Sequence, residues 1–185
     1  MPLVPYKITI CGLAELCRHS AAGVTHVLTI LDPGHPDPGD FAGYGAHRRT
    51  VWRYHDIIAA RDGHVVPTER DVAAILDFGD RTTGIGHLLV HCHMGISRST
   101  AAAAILLAQH NPGRERDAFA EVRAIRPSAW PNSLMIRMAD AALGRGGALV
   151  EAMREHHLLV ARAFPDLVAQ LRGGEREPEL PEDMR

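Results

Sequence analysis

One octapeptide constrains this 185-residue chain more than any other segment: His91-Cys92-His93-Met94-Gly95-Ile96-Ser97-Arg98, with Ser99 directly after it. An apolar run, Leu88-Leu89-Val90, leads in, and an alanine-rich stretch from Thr100 to Leu107 leads out. The first reads as a buried strand and the second as a helix, so the octapeptide is the turn between them. Backbone N–H groups in such a turn face inward, the helix N-terminus adds positive potential, and a guanidinium grips two oxygens of one anion. The same field favours a thiolate at Cys92 over the neutral thiol. Cys92 is therefore a candidate nucleophile and Arg98 a candidate oxyanion clamp, a pairing suited to a phosphate ester. Arginine fits the second role better than lysine because its planar fork matches two phosphate oxygens. Gly95 suits a tight loop because it tolerates positive φ.

Strand patterns at 6–10, 24–31, 50–55 and up to Val90 alternate with helical patterns at 13–19 and from Thr68 to about Gly79. Thr68 reads as an N-cap, with Asp71 at the capping-box distance. Later helices are expected to about Gln109, over 118–124, from about Asn132 to Leu143, and as one amphipathic helix over roughly 148–171. The Gly- and Pro-rich stretch after Asp32-Pro33-Gly34 reads as loop, with Asp32 as a turn residue. Residues 57–66 show no clear element beyond a turn at Asp62-Gly63. Strands alternating with helices, then mostly helix, indicate an α/β layer fold with the anion loop at the carboxyl end of a central strand. One domain over 1–172 is expected, followed by a polar, proline-bearing, disordered tail over 173–185.

The octapeptide with Ser99 resembles the signature loop of the cysteine-dependent protein tyrosine phosphatase superfamily, His-Cys-x5-Arg-Ser/Thr. The likeness extends over roughly residues 5–143 and is nearest to the dual-specificity branch and its small bacterial relatives. It implies a three-layer fold, a twisted, mostly parallel sheet with helices on both faces, the second face covered by the helices after the loop. It also implies a phosphomonoester hydrolase in which Cys92 attacks phosphorus and becomes a phosphocysteine. The loop from His93 through Met94, Gly95, Ile96 and Ser97 to Arg98 would bind the phosphoryl oxygens. At matching positions, Ser99 would hydrogen-bond the sulfur and His91 would fix the loop through a backbone carbonyl. Arg126-Pro127 and Trp130-Pro131-Asn132 resemble a segment that packs behind the loop. Asn132 is read first as a helix cap and second as support for the loop; Trp130 is read as packing.

The family's general acid is an Asp a few tens of residues before the cysteine. Asp56, at the end of the 50–55 strand, fits this place; Asp62, in the flexible stretch, is the rival. Asp56 is preferred because strand ends are held more firmly than loops.

Other classes fit less well. With twenty basic and twenty-two acidic residues the net charge is −2, so there is no global field for nucleic acid. No apolar run approaches a membrane span of about 18 residues, and the N-terminus lacks a signal-peptide core. Three cysteines, Cys11, Cys17 and Cys92, form no staple pattern and favour a cytoplasmic setting. Cys11 and Cys17 are candidate disulfide partners of Cys92 under oxidation, subject to geometry. His91-Cys92-His93 lacks the companions of a metal site, so neither metal nor other cofactor is expected. Positions 93, 94, 96 and 97 carry no lysine or arginine. The expected partner is therefore a phosphorylated protein (phosphotyrosine, with phosphoserine or phosphothreonine next) or a small phosphomonoester, rather than a polyphosphorylated lipid. The alternatives weighed are an inactive pseudophosphatase that holds a phosphorylated partner and a rhodanese-type sulfur transferase.

Overall fold

The computed structural model describes residues 1–81 and 83–185. Its centre is a four-stranded, fully parallel sheet in the order β1-β4-β2-β3. The strands are β1 (Lys7–Cys11), β2 (His26–Leu31), β3 (Arg48–Arg53) and β4 (His87–His91). All five residues of β4 are buried, as expected for a central strand covered on both faces, and this is why it reads as an unbroken apolar run.

Period-2 alternation sends the two sets of side chains to different cores. Ile8, Ile10, Leu28, Ile30, Leu88, Val90 and Cys92 belong to the main core, against the α-helices. Cys11, Val27 and Leu89 belong to the opposite core. The α-helices are α1 (Glu69–Asp80), α2 (Arg98–Gln109), α3 (Glu115–Ile125), α4 (Ser133–Ala142), α5 (Ala148–Ala163) and α6 (Pro165–Leu171). α1 to α5 all contribute to the main core. The other face is covered by two short 3₁₀ segments, Leu13–His19 and Gly39–Gly43, through Leu16 and Phe41. The sheet thus has helical cover on both faces, one of them supplied by α1 and the helices after the loop.

α2 is the central helix. Every residue from Arg98 to Ala108 is buried, and alanines let sheet and neighbouring helices approach it closely at little cost in side-chain entropy. Thr68 caps α1 in a box: its N–H donates to Asp71 Oδ2 at 2.8 Å, and Asp71 N–H donates to Thr68 Oγ1 at 3.4 Å.

Three expectations differ from the structure. β3 begins and ends two residues earlier than the 50–55 pattern suggests, so Asp56 follows the strand rather than ending it. The single helix over 148–171 is two, broken at Phe164, because Pro165 has no N–H to continue the ladder. The segment 173–185 is not a disordered tail: it forms 3₁₀ turns at Glu177–Glu179 and Glu182–Met184. Leu180 is 1% exposed, in a small core with Trp130, Val160, Ala161 and Val168. Two further side chains of the segment, Arg176 and Glu179, are held by part-buried hydrogen bonds.

Candidate active site

The loop starts at the carboxyl end of β4 and runs into α2, with Cys92 buried. Gly95 has φ +69° and its N–H points at Cys92 Sγ, 3.3 Å away. Ser99 Oγ lies 3.2 Å from the same sulfur, placed to donate to a thiolate. The amides of His93, Met94, Ile96, Ser97 and Arg98 have no backbone partner among the described residues. A turn at a helix N-terminus with unspent donors is an anion cradle.

Arg98 is 3% exposed. Its Nη1 donates to Tyr54 O and, at 2.6 Å, to Asp32 Oδ1. Its Nε is buried without a partner among the described residues, so one edge of the fork is anchored and Nε remains available to an oxyanion. Asp32 was expected to be a turn residue. It does turn the chain, its backbone carbonyl accepting from His35 N–H, but its carboxylate also anchors Arg98. The missed signal is positional: Asp32 follows β2, the strand beside β4, so both stand at the same edge of the sheet.

His91 lies on the opposite face, in hydrogen-bond contact with Thr29 Oγ1 at 2.8 Å, and its Nδ1 is 3.4 Å from Cys92 O. The tautomer with Nδ1–H satisfies both contacts, and the carbonyl bond is the longer of the two. Burial pushes the ring's pKa down to about 4, so His91 is neutral at neutral pH. At the rim, His93 Nε2 accepts from Asp32 N–H at 3.2 Å and stands edge-on to His35. Met94 is 67% exposed.

Ser97 turns its side chain to Asp56. Its hydroxyl donates to Asp56 Oδ1 at 2.6 Å. Asn132 both caps α4, accepting from Met135 N–H at 3.1 Å, and donates to Asp56 Oδ1 at 3.0 Å and Ile57 O at 3.1 Å. Asp56 therefore sits beside the loop, whereas Asp62 lies on an exposed turn. Arg176, from the C-terminal segment, donates to both Asp56 oxygens at 3.2 and 3.3 Å and to Ser97 Oγ. Burial raises the Asp56 pKa, but the Arg176 and Arg98 charges and the bonds from Ser97 and Asn132 outweigh it and hold the carboxyl below its ordinary value. Arg176 had no local signal in the sequence.

Behind the loop, Arg126 donates to Met94 O at 3.0 Å and Glu15 Oε1 at 2.8 Å, and Trp130 N–H donates to Ile96 O at 2.8 Å. Trp130 is 1% exposed and packs as expected. Cys11 and Cys92 face opposite cores, Cys17 is exposed, and all three thiols are free. No group of three His, Cys, Asp or Glu among the described residues is placed to hold a metal ion. No helix among them is long and apolar enough to cross a membrane.

No protein-family model and no curated protein matches the chain. Solved structures do. Human DUSP28 superposes with a TM-score of 0.59 at 19% identity, over 80% of this chain and 97% of that one. The human tyrosine phosphatase-like serine/threonine/tyrosine-interacting protein does so with 0.58 at 22%, over 79% and 96%. DUSP15 gives 0.53 at 19%, over 95% and 97%. The parallel sheet, its helical cover and the strand–loop–helix at Cys92 together give this chain the fold of the dual-specificity and tyrosine phosphatases.

Proposed function

We propose that the protein is a phosphomonoester hydrolase of the tyrosine or dual-specificity type. The observation that carries this reading is the setting of Cys92: a sulfur 3.3 Å from Gly95 N and 3.2 Å from Ser99 Oγ, at a helix N-terminus, with an anchored Arg98 whose Nε is unspent. The Cys92 thiolate attacks phosphorus as the ester P–O bond breaks, while the loop amides and Arg98 hold the remaining oxygens. Asp56 protonates the leaving oxygen. Water then attacks the phosphocysteine, its proton passes to the Asp56 carboxylate, and the P–S bond breaks to return the thiolate and inorganic phosphate. None of these steps needs a metal. With no lysine or arginine among residues 93, 94, 96 and 97, the fitting substrate carries one phosphate, on a protein tyrosine or serine/threonine or on a small molecule. Asp56 is the better acid than Asp62 because Ser97 and Asn132 hold it against the loop.

A second reading has one observation in its favour. The ion pair to Arg176 favours the carboxylate form of Asp56, which suits a phosphate-holding module without turnover as well as it suits the second chemical step.

The deciding experiment is p-nitrophenyl phosphate hydrolysis in reducing buffer with excess chelator, wild type beside Cys92→Ser. Chelator-resistant turnover that falls by at least about 10³-fold in the variant supports the hydrolase. A folded, reduced wild type without turnover that still binds tungstate supports the holding module. Sulfur transfer from thiosulfate would replace both readings.

A further inference from the structure

The segment 173–185 packs beside the site, and the strongest unassigned feature of the molecule is what it delivers there. Arg176 is 15% exposed at its side chain. Its Nη1 reaches both oxygens of Asp56 and the hydroxyl of Ser97, and its Nη2 reaches Trp130 O at 3.4 Å. Its Nε donates at 2.7 Å to Glu179, whose carboxylate is 2% exposed. That carboxylate also accepts from Trp130 Nε1 at 2.9 Å and from Ser133 N–H at 2.8 Å. The guanidinium is therefore fixed from behind by Glu179 and faces Asp56 and Ser97 in front.

We propose that Arg176 is a positioning residue of the site: it holds the Asp56 carboxylate against Ser97 and, by its charge, sets the pH range over which Asp56 carries a proton. A guanidinium at hydrogen-bond distance stabilises the ionised carboxyl. It favours the step in which Asp56 accepts a proton from water and opposes the step in which Asp56 donates one. The other charged or titratable groups whose fields act at Asp56 are Arg98 from α2, His93 from the loop and Tyr54 after β3. Glu179 lies behind Arg176 and partly offsets its charge. The inference rests on Asp56 as the acid and base proposed above.

The test is a carbon NMR titration of the Asp56 side-chain carboxyl, run beside the pH profile of kcat for phenyl phosphate. Wild type, Arg176→Gln and Arg176→Lys are compared. In Arg176→Gln the Asp56 midpoint should rise by at least about one pH unit, and the limb of the kcat profile set by the acid should move the same way. Arg176→Lys, which keeps the charge but not the fork, should lie between. A rise in the midpoint with an unmoved kcat profile would uphold Arg176 and remove Asp56 as the acid. An unmoved midpoint would overturn the role of Arg176 whatever the rates do. Wild type supplies a second check if Arg176→Gln does not fold: Asp56 should titrate below its own midpoint in the urea-unfolded chain, and a value at or above it overturns the proposal.

Discussion

Arg98 Nη1 lies 2.6 Å from Asp32 Oδ1, a charge-assisted bond from the buried first residue of α2 to a carboxylate just beyond β2. The chain leaving two neighbouring strands, β4 and β2, thus brings Arg98 and its anchor together. Asp32→Ala should leave Arg98 with only Tyr54 O to orient it, and kcat/KM for p-nitrophenyl phosphate should fall by about 10- to 100-fold. Asp32→Asn keeps the acceptor oxygen and should lose less than about tenfold. Steady-state kinetics decide; equal losses in the two variants would mean that charge, not orientation, is what Asp32 supplies.

Gly95 is fixed by space as well as by conformation. At φ +69° a Cβ would lie 2.4 Å from Cys11 C and 2.6 Å from Gly12 N, both backbone atoms. Gly95→Ala must therefore push the loop off β1 or abandon the turn. The expected cost is about 3 kcal/mol, from left-handed strain and overpacking together, with tungstate binding lost. Urea denaturation and a tungstate titration check both parts, and a variant with wild-type stability and binding would refute the close approach.

What was legible in the sequence is what is local. The strand–loop–helix at Cys92 is carried by contiguous residues, as is the Thr68 box with Asp71. The cap at Asn132 was legible for the same reason. Asp32 was legible only as a turn, because its partner Arg98 is brought to it by strand order and not by spacing. Arg176 and Glu179 lie in a polar, proline-bearing stretch whose composition matches that of chains unable to bury a core. Their order comes from part-buried hydrogen bonds to Asp56, Trp130 and Ser133 together with one buried leucine, Leu180, and none of these leaves a periodic trace.

The ordering of the C-terminal segment yields a stability prediction. Removing the Glu179 carboxylate leaves Trp130 Nε1, Ser133 N and Arg176 Nε without their acceptor. Glu179→Ala should cost about 3 kcal/mol, as expected when one partner of a buried pair is deleted. Truncation after residue 172 should cost at least as much, because it also uncovers the Leu180 contacts with Trp130 and Val160. Urea unfolding monitored by tryptophan fluorescence measures both, and a truncated chain as stable as the full one would show that the segment contributes nothing to folding.

Three buried histidines should make stability depend on pH well above the carboxylate range. His156 donates from Nε2 to Ala129 O at 2.9 Å, and His157 from Nε2 to Pro131 O at 3.2 Å while stacking on Trp130. Burial pushes His156 and His91 from 6.5 to about 4, and pushes His157 well below its ordinary value. In the unfolded chain these rings take up protons as pH falls through about 6.5, while the folded rings stay neutral. The unfolded state therefore binds more protons in this window, and stability is full above about pH 6.5 and lost progressively as pH falls towards about 4. His91 and His156 are each worth on the order of 3 kcal/mol over that range, and His157 acts in the same direction. The Asp56 contribution, from a carboxyl held below 3.8, is present above that value and lost only as pH falls further. Urea midpoints taken from about pH 7.5 to about pH 5 should fall steadily, and His156→Gln should flatten the slope by roughly a third, as expected if three rings contribute equally. A wild-type midpoint that stays level across this interval would mean that the rings are not held neutral by their burial.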